Sequence, residues 1–237
     1  MGQKKLLRFE AIGNFPNVLQ YPEGMSGKWN HFFKNENPIT LELACGKGEY
    51  TVGMAALYPA RNFIGVDLKG NRIYAGALEG LKNNIRNAAF LRTHIDKIDG
   101  YFLSAEVSEI WITFPDPQLR TSRAKKRLTH PRYLRLYQNI LKPGGFVHLK
   151  TDSPALFHFT NLVADLYGLR ILDSSEDIYA RPDNPAEMYI KTHYEKLDIA
   201  ASNKIYYIKL RLPEERIPVP DLKFQQLLKQ IEHAEQF

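Results

Sequence analysis

Short runs of apolar, mostly β-branched residues alternate along the chain with longer segments of helical periodicity. This alternation is typical of an α/β domain in which helices connect the strands of one sheet. The pattern predicts strands at 38–44, 62–67, 89–91, 109–114, 146–151, 169–172 and 205–212. It predicts helices at 49–57, 71–81, 130–141, 154–167 and 222–231.

A glycine turn, Gly46-Lys-Gly48, connects the first predicted strand to its helix. The next strand ends on Asp67, so the segment has the order of a βαβ unit with a nucleotide site at its mouth. Asp67 is well placed there to accept hydrogen bonds from both ribose hydroxyls. Thr51 stands where the dinucleotide-binding motif needs a third glycine.

Glu42 lies inside the first predicted strand, four residues before the glycine turn. Its carboxylate would repel a pyrophosphate but would favour the sulfonium and ammonium groups of S-adenosylmethionine. A methyl donor is therefore favoured over a nicotinamide cofactor. The alternative for Glu42 is a buried acid paired with a lysine or arginine.

The chain leaves the sheet at Phe114-Pro-Asp-Pro117, because neither proline can donate to a strand ladder. Asp116 is thereby held at the carboxyl end of a strand, where open α/β sheets bind their ligands. No acid occurs between Asp116 and Asp152. Five cations lie within eight residues at the start of this interval: Arg120, Arg123, Lys125, Lys126 and Arg127. Such a run suits a phosphate backbone, and a solvated charged loop is the alternative.

Composition and charge agree with a soluble α/β protein. Of 237 residues, 44% are hydrophobic and 24% are charged, and the net charge is +6. The single cysteine excludes an internal disulfide, and no apolar run reaches the length of a membrane span. We expect a cytoplasmic protein without metal or membrane association, a monomer or homodimer. We expect one domain, with an arm at 1–37, a catalytic core at 38–212 and a C-terminal helix at 213–237.

Five segments then occur in a characteristic order: Glu42-Leu-Ala-Cys-Gly-Lys-Gly48, Phe63-Ile-Gly-Val-Asp67, Phe114-Pro-Asp-Pro117 with its basic tail, Lys150-Thr-Asp152 and Lys191-Thr-His-Tyr-Glu195. In these segments the chain resembles the tRNA (guanine-N7)-methyltransferases. The resemblance implies a Rossmann-like class I methyltransferase fold, with a seven-stranded, mostly parallel sheet whose last strand is antiparallel. It also implies S-adenosyl-L-methionine as cofactor, tRNA as partner, and methylation of N7 of the variable-loop guanosine at tRNA position 46.

The resemblance also implies roles for individual residues. Those at the methyl donor are Glu42, Gly46, Gly48, Asp67, His94 and Asp116. Those at the substrate are Arg120, Asp152, Thr192, His193, Tyr194 and Glu195. Those at the RNA backbone are Ser122, Arg123, Ala124, Lys125, Lys126 and Arg127. The sequence departs from the family pattern at Ala44, His94, Gln118 and Arg120.

Guanine N7 carries a free lone pair and no proton, so methylation there needs no general base. Catalysis should then consist of positioning, with Asp116 as the catalytic residue that stabilises the cation developing on the purine. Asp152 is suited to accept from guanine N1–H and N2–H₂, unless it is the N-cap of the helix that follows. Thr192 and Glu195 have the spacing of a capping box.

Two other functions remain open from the sequence. One is a methyltransferase that acts on another RNA or on a small molecule, and a small-molecule substrate would leave the basic run without a role. A non-catalytic RNA-binding protein on a nucleotide-binding fold would leave Glu42, Asp67 and Asp116 without one.

Overall fold

The computed structural model describes residues 2–192, 195, 204–219 and 221–234. The strands within these residues are β1 Val18–Gln20, β2 Ile39–Leu43, β3 Asn62–Asp67, β4 Ala88–Arg92, β5 Val107–Thr113, β6 Leu141–Thr151, β7 Arg170–Ser175 and β8 Tyr206–Arg211. The helices are α1 Gly2–Ala11, α2 Trp29–Phe33, α3 Glu49–Leu57, α4 Gly70–Lys82, α5 Pro131–Gln138, α6 Pro154–Tyr167 and α7 Leu222–Ala234. Short 3₁₀ turns occur at Ile12–Asn14, Ile95–Tyr101, Thr121–Lys126, Ile178–Ala180 and Ala186–Tyr189.

All eight of these strands form one sheet, in the order β1-β4-β3-β2-β5-β6-β8-β7. β8 is antiparallel to both of its neighbours, and the other pairs are parallel. β2 lies at the centre, with β3 on one side and β5 on the other. The chain order reverses there, and in open α/β sheets this reversal leaves a crevice for ligands at the strand carboxyl ends.

The seven predicted strands and the antiparallel final strand are confirmed. The eighth strand is β1, which comes from the N-terminal arm and pairs with β4 through Val18 and Phe90. The arm also forms α1, which packs on α4. A Cβ on Gly70 would lie 2.6 Å from Ile12 Cδ1, so the absence of a side chain at Gly70 allows this close approach.

The sheet is buried because its central strands are apolar and covered by helices. Leu41, Ile64, Ile110 and Val147 are all fully buried. In β2, Leu41 and Leu43 join the largest apolar cluster, whereas Glu42 contacts α3. Alternate side chains of a strand point to opposite faces, and Glu42 therefore lies beneath α3.

Most predicted boundaries agree with the structure within one or two residues. The largest difference is β6, which begins at Leu141 rather than at 146, so that α5 ends earlier, at Gln138. Leu141 pairs with Val107, and the register shifts before Glu109. Among the described helices none is both long enough and apolar enough to cross a bilayer.

Candidate active site

An open cavity of about 470 Å³ lies at the carboxyl ends of the central strands. This volume is within the range of small-molecule sites. The residues that line it are Ala44, Cys45, Gly46, Lys47, Glu49, Asp67, Leu68, Lys69, Arg72, Thr113, Phe114, Pro115, Asp116, Pro117, Asp152 and Thr192. The glycine turn, the end of β3, the Phe-Pro-Asp-Pro segment and the residue after β6 thus meet at one site.

The turn between β2 and α3 has a left-handed backbone at three positions. Ala44, Gly46 and Gly48 have φ of 58°, 57° and 73°. A Cβ on Gly48 would lie 2.3 Å from the Phe90 ring, so only glycine fits there. Ala44 tolerates its methyl group in this conformation, which costs an L-residue roughly 1–2 kcal/mol.

Asp67 ties the end of β3 to this turn. Its Oδ2 accepts a hydrogen bond from the Gly46 amide at 3.0 Å, and its Oδ1 accepts one from the Lys69 amide at 2.8 Å. Each carboxylate oxygen has a second lone pair, so Asp67 can also accept from a ligand in the cavity that it lines.

Glu42 lies beneath the cavity rather than in its lining. It is 4% exposed, and it accepts hydrogen bonds from the Thr51 amide at 2.8 Å, from the Thr51 hydroxyl, and from the Thr113 hydroxyl at 2.5 Å. Burial raises the pKa of this carboxyl to about 7. In the described part of the chain no lysine or arginine forms an ion pair with Glu42, so the buried-ion-pair alternative is wrong. Thr113 does line the cavity and connects Glu42 to it.

The Phe-Pro-Asp-Pro segment leaves β5 with unusual backbone angles. Phe114 has φ of 46° and Gln118 has φ of 48°. Such values are rare for residues with bulky side chains, and they concentrate at functional sites. Asp116, between these two positions, is exposed at the cavity, and its Oδ1 accepts from the Gln118 amide at 3.0 Å.

Asp152 follows β6 and lines the same cavity. The N-cap of α6 is Ser153, whose hydroxyl accepts from the Leu156 amide at 3.2 Å. The helix-cap alternative for Asp152 is therefore wrong. No described residue forms a hydrogen bond or ion pair with the Asp152 carboxylate, so that carboxylate is available to a ligand.

Thr192 and Glu195 are close together, but they face different surroundings. Thr192 lines the cavity, and its hydroxyl accepts from the Glu195 amide at 3.3 Å, which is half of a capping box. The Glu195 carboxylate is buried, accepts from the Tyr179 hydroxyl and lies 3.4 Å from Lys150 Nζ. Burial lowers the pKa of Lys150, whose Nζ also donates to the Met188 carbonyl at 2.8 Å. His193 and Tyr194 lie outside the described residues.

His94 is not brought to the cavity lining. Its side chain is exposed at the N-cap of the 3₁₀ turn Ile95–Tyr101.

The basic run forms the 3₁₀ turn Thr121–Lys126 beside the cavity. Arg120 and Arg123 line a second hollow of about 320 Å³, which shares Asp116 and Pro117 with the first. The exposed members of the run are Arg120, Ser122, Arg123, Lys125 and Lys126. Ala124 and Arg127 are buried, so the expectation that both contact RNA directly needs correction. A 3₁₀ turn that packs against a domain buries some of its side chains. The sequence of the basic run does not show which positions these are.

Several residues of the site were missed by sequence reasoning. Thr51 and Thr113 hold Glu42, and Lys47, Lys69 and Arg72 line the cavity. The sequence signal that could have pointed to Thr51 is its position, where the dinucleotide-binding motif has a third glycine. A Cβ on Gly65 would lie 2.6 Å from Thr51 Oγ1, so the glycine of β3 makes room for this threonine.

Solved methyltransferase structures have a similar fold. The 16S rRNA methyltransferase KamB matches 83% of this chain and 99% of its own, with a TM-score of 0.61 and 13% identity. The match with the 30S ribosomal A1408 methyltransferase from an uncultured bacterium covers 78% of this chain and 93% of that structure, with a TM-score of 0.56 and 15% identity. Residues 36–208 match the model of a family described as putative methyltransferase. The fold is that of the class I S-adenosylmethionine-dependent methyltransferases.

Curated relatives narrow the class to one family. The tRNA (guanine-N(7)-)-methyltransferase of Bacteroides thetaiotaomicron is 42% identical over 235 residues, which cover 95% of this chain and 92% of the relative. That of Christiangramia forsetii is 44% identical over 223 residues, which cover 90% of this chain and 100% of the relative. The chain belongs to the tRNA (guanine-N(7)-)-methyltransferase family.

Proposed function

We propose that this chain transfers a methyl group from S-adenosyl-L-methionine to N7 of the guanosine at position 46, in the variable loop of tRNA. The observation that carries the proposal is a single cavity lined by Asp67, Asp116 and Asp152 and bordered by an exposed basic turn. Family membership supports the same reaction. The proposal includes a cytoplasmic location, with the chain acting as a monomer or homodimer.

The β3 side of the cavity fits the methyl donor. Asp67 has lone pairs left for the ribose hydroxyls, and Gly46, which lines the cavity, lets the turn approach a ligand closely. Gly48 does not line the cavity and packs against Phe90, so its place at the donor stays a prediction from the family pattern. Glu42 acts from beneath: its carboxylate, held by Thr51 and Thr113, favours a positively charged donor. When bound, S-adenosylmethionine supplies an electrophilic methyl group on a sulfonium.

The β5 and β6 side fits the guanine. Asp152 accepts from N1–H and N2–H₂, two donors that guanine offers side by side and adenine lacks. Asp116, where the two hollows meet, stabilises the positive charge that develops on the purine. No proton leaves N7, so these residues need only align N7 with the methyl group.

The exposed turn fits the RNA backbone. Ser122, Arg123, Lys125 and Lys126 present a hydroxyl and three cations to phosphates, and Arg120 sits between them and Asp116. Thr192, at the cavity wall, is a further substrate contact. Roles for His94, His193, Tyr194 and Glu195 remain predictions from the family pattern.

Methyl transfer to matched tRNA transcripts tests the proposal. The purified chain should label a transcript with guanosine at position 46, and substitution of that one base by adenosine should abolish labelling. Acid release of 7-methylguanine distinguishes N7 from the exocyclic amine. Equal labelling of both transcripts, or labelling of a small-molecule fraction instead, would refute it.

A further inference from the structure

Arg127 differs from every other cation of the basic run because it is buried. It is 7% exposed, whereas Arg120, Arg123, Lys125 and Lys126 are all exposed. A buried guanidinium is stable only where its charge and its N–H donors find partners. The partners of Arg127 therefore indicate its role.

Arg127 donates hydrogen bonds to three successive backbone carbonyls. Its Nε donates to the carbonyls of Pro117 and Gln118 at 3.2 Å each, and its Nη2 donates to those of Gln118 and Leu119 at 3.1 Å each. Its guanidinium also lies 4.4 Å from the centre of the Phe159 ring, in a cation–π contact with α6.

These carbonyls belong to the loop that carries Asp116 into the cavity. Pro115 and Pro117 have no N–H, and Gln118 has a left-handed backbone, so this loop cannot form a regular ladder or helix. Among the described residues, the backbone of 115–119 makes no hydrogen bond to other backbone groups. The hydrogen bonds from the Arg127 guanidinium are thus a principal connection between this loop and the rest of the domain.

Resting on the proposed function, we infer that Arg127 is a positioning residue. It holds the loop so that Asp116 faces the cavity and Arg120 stands beside it, while the neighbouring exposed cations contact phosphate. The planar guanidinium suits this role because one side chain reaches three carbonyls and still stacks on Phe159. A lysine ammonium keeps the charge but has neither the fork nor the flat face.

The test compares Arg127→Lys and Arg127→Met with Lys126→Met as the matched control. Both Arg127 variants should lose kcat at saturating tRNA by roughly 100-fold, the scale for a displacement near 1 Å. They should keep the salt dependence of tRNA binding, and the Gln118 and Arg123 amides, which donate to Asp116 Oδ1 and to the Arg120 carbonyl, should exchange hydrogen faster. Lys126→Met should instead raise KM and make the slope of log affinity against log salt shallower by about 1.

Two results would overturn the inference. If Arg127→Lys restores wild-type kcat while Arg127→Met makes the salt slope shallower, Arg127 contacts phosphate. If exchange of the Gln118 and Arg123 amides is unchanged in folded variants with normal donor binding, the loop does not depend on Arg127. If the methionine variant fails to fold, the lysine variant alone shows whether Arg127 acts through its positive charge or through the several hydrogen bonds of its guanidinium. If wild type itself does not methylate tRNA, the proposed function fails, and the exchange measurement still tests this connection.

Discussion

The buried carboxyl of Glu42 should make the stability of the chain depend on pH. Its pKa is about 7 in the folded protein and near 4.5 when exposed, because burial penalises the charged form. The folded state therefore binds this proton more tightly than the unfolded state. The resulting stability is fully present below pH 4.5 and is lost as pH rises through 7.

The magnitude follows from the two pKa values. Each pKa unit corresponds to 1.36 kcal/mol, so the free energy of unfolding should fall by about 3 kcal/mol between pH 4.5 and pH 7.5 through this group alone. Urea unfolding of the donor-free protein at half-unit pH steps measures this change. Glu42→Gln keeps the volume and removes the titration, so subtracting its stability from that of wild type cancels the other titrating groups.

The difference between wild type and Glu42→Gln should decline across this window and become flat above it. Glu36→Gln replaces an exposed carboxylate and is the matched surface control. The difference in unfolding free energy between wild type and Glu36→Gln should not show this decline. A wild-type minus Glu42→Gln difference that stays constant from pH 4.5 to 7.5 would refute the reasoning. The carboxyl would then be as well solvated in the folded chain as in the unfolded one.

Three further predictions concern the cavity and its border. Asp67→Ala should weaken donor binding by about 1.5–3 kcal/mol, the range for hydrogen bonds to a charged group, with tRNA binding preserved; calorimetry with normal donor affinity would contradict its role. Ser153→Ala should lower the free energy of unfolding by about 0.5–2 kcal/mol, whereas Asp152→Ala should leave stability unchanged and lower activity; a reversed pattern in urea unfolding would make Asp152 the cap. Replacing three of the four exposed cations by alanine should make the salt slope of tRNA binding shallower by about 3, and an unchanged slope would leave the turn a solvated loop. These cations are Arg123, Lys125 and Lys126.

Elements with strong local signals were predictable from the sequence. Helix α6 matched its predicted bounds because Pro154 marks its first turn and Gly168, with φ of 64°, ends it. Strand β3 matched because it is short, apolar and closed by an acid. In contrast, β1 is three residues long and pairs with a strand about seventy residues away, so no local pattern could reveal it.

The cavity was predictable in outline but not in its supporting contacts. Asp67 ends a strand, Asp116 and Asp152 each follow one, and parallel strands bring their carboxyl ends to one edge of the sheet. Burial within a charged run depends on how that run packs, and Arg127 therefore could not be distinguished from Lys126 by sequence. The hydroxyl partners of Glu42 come from α3 and β5, which meet only in the folded chain.

The central claim is methylation of one atom in one class of RNA, and nucleoside mass spectrometry of tRNA tests it most directly. Transfer RNA from a strain that lacks this chain should have lost 7-methylguanosine at position 46. The wild-type chain should restore it, and the Asp116→Asn variant should restore far less. Unchanged 7-methylguanosine in the deletion strain, together with no methylation of that tRNA by the purified chain, would contradict the account.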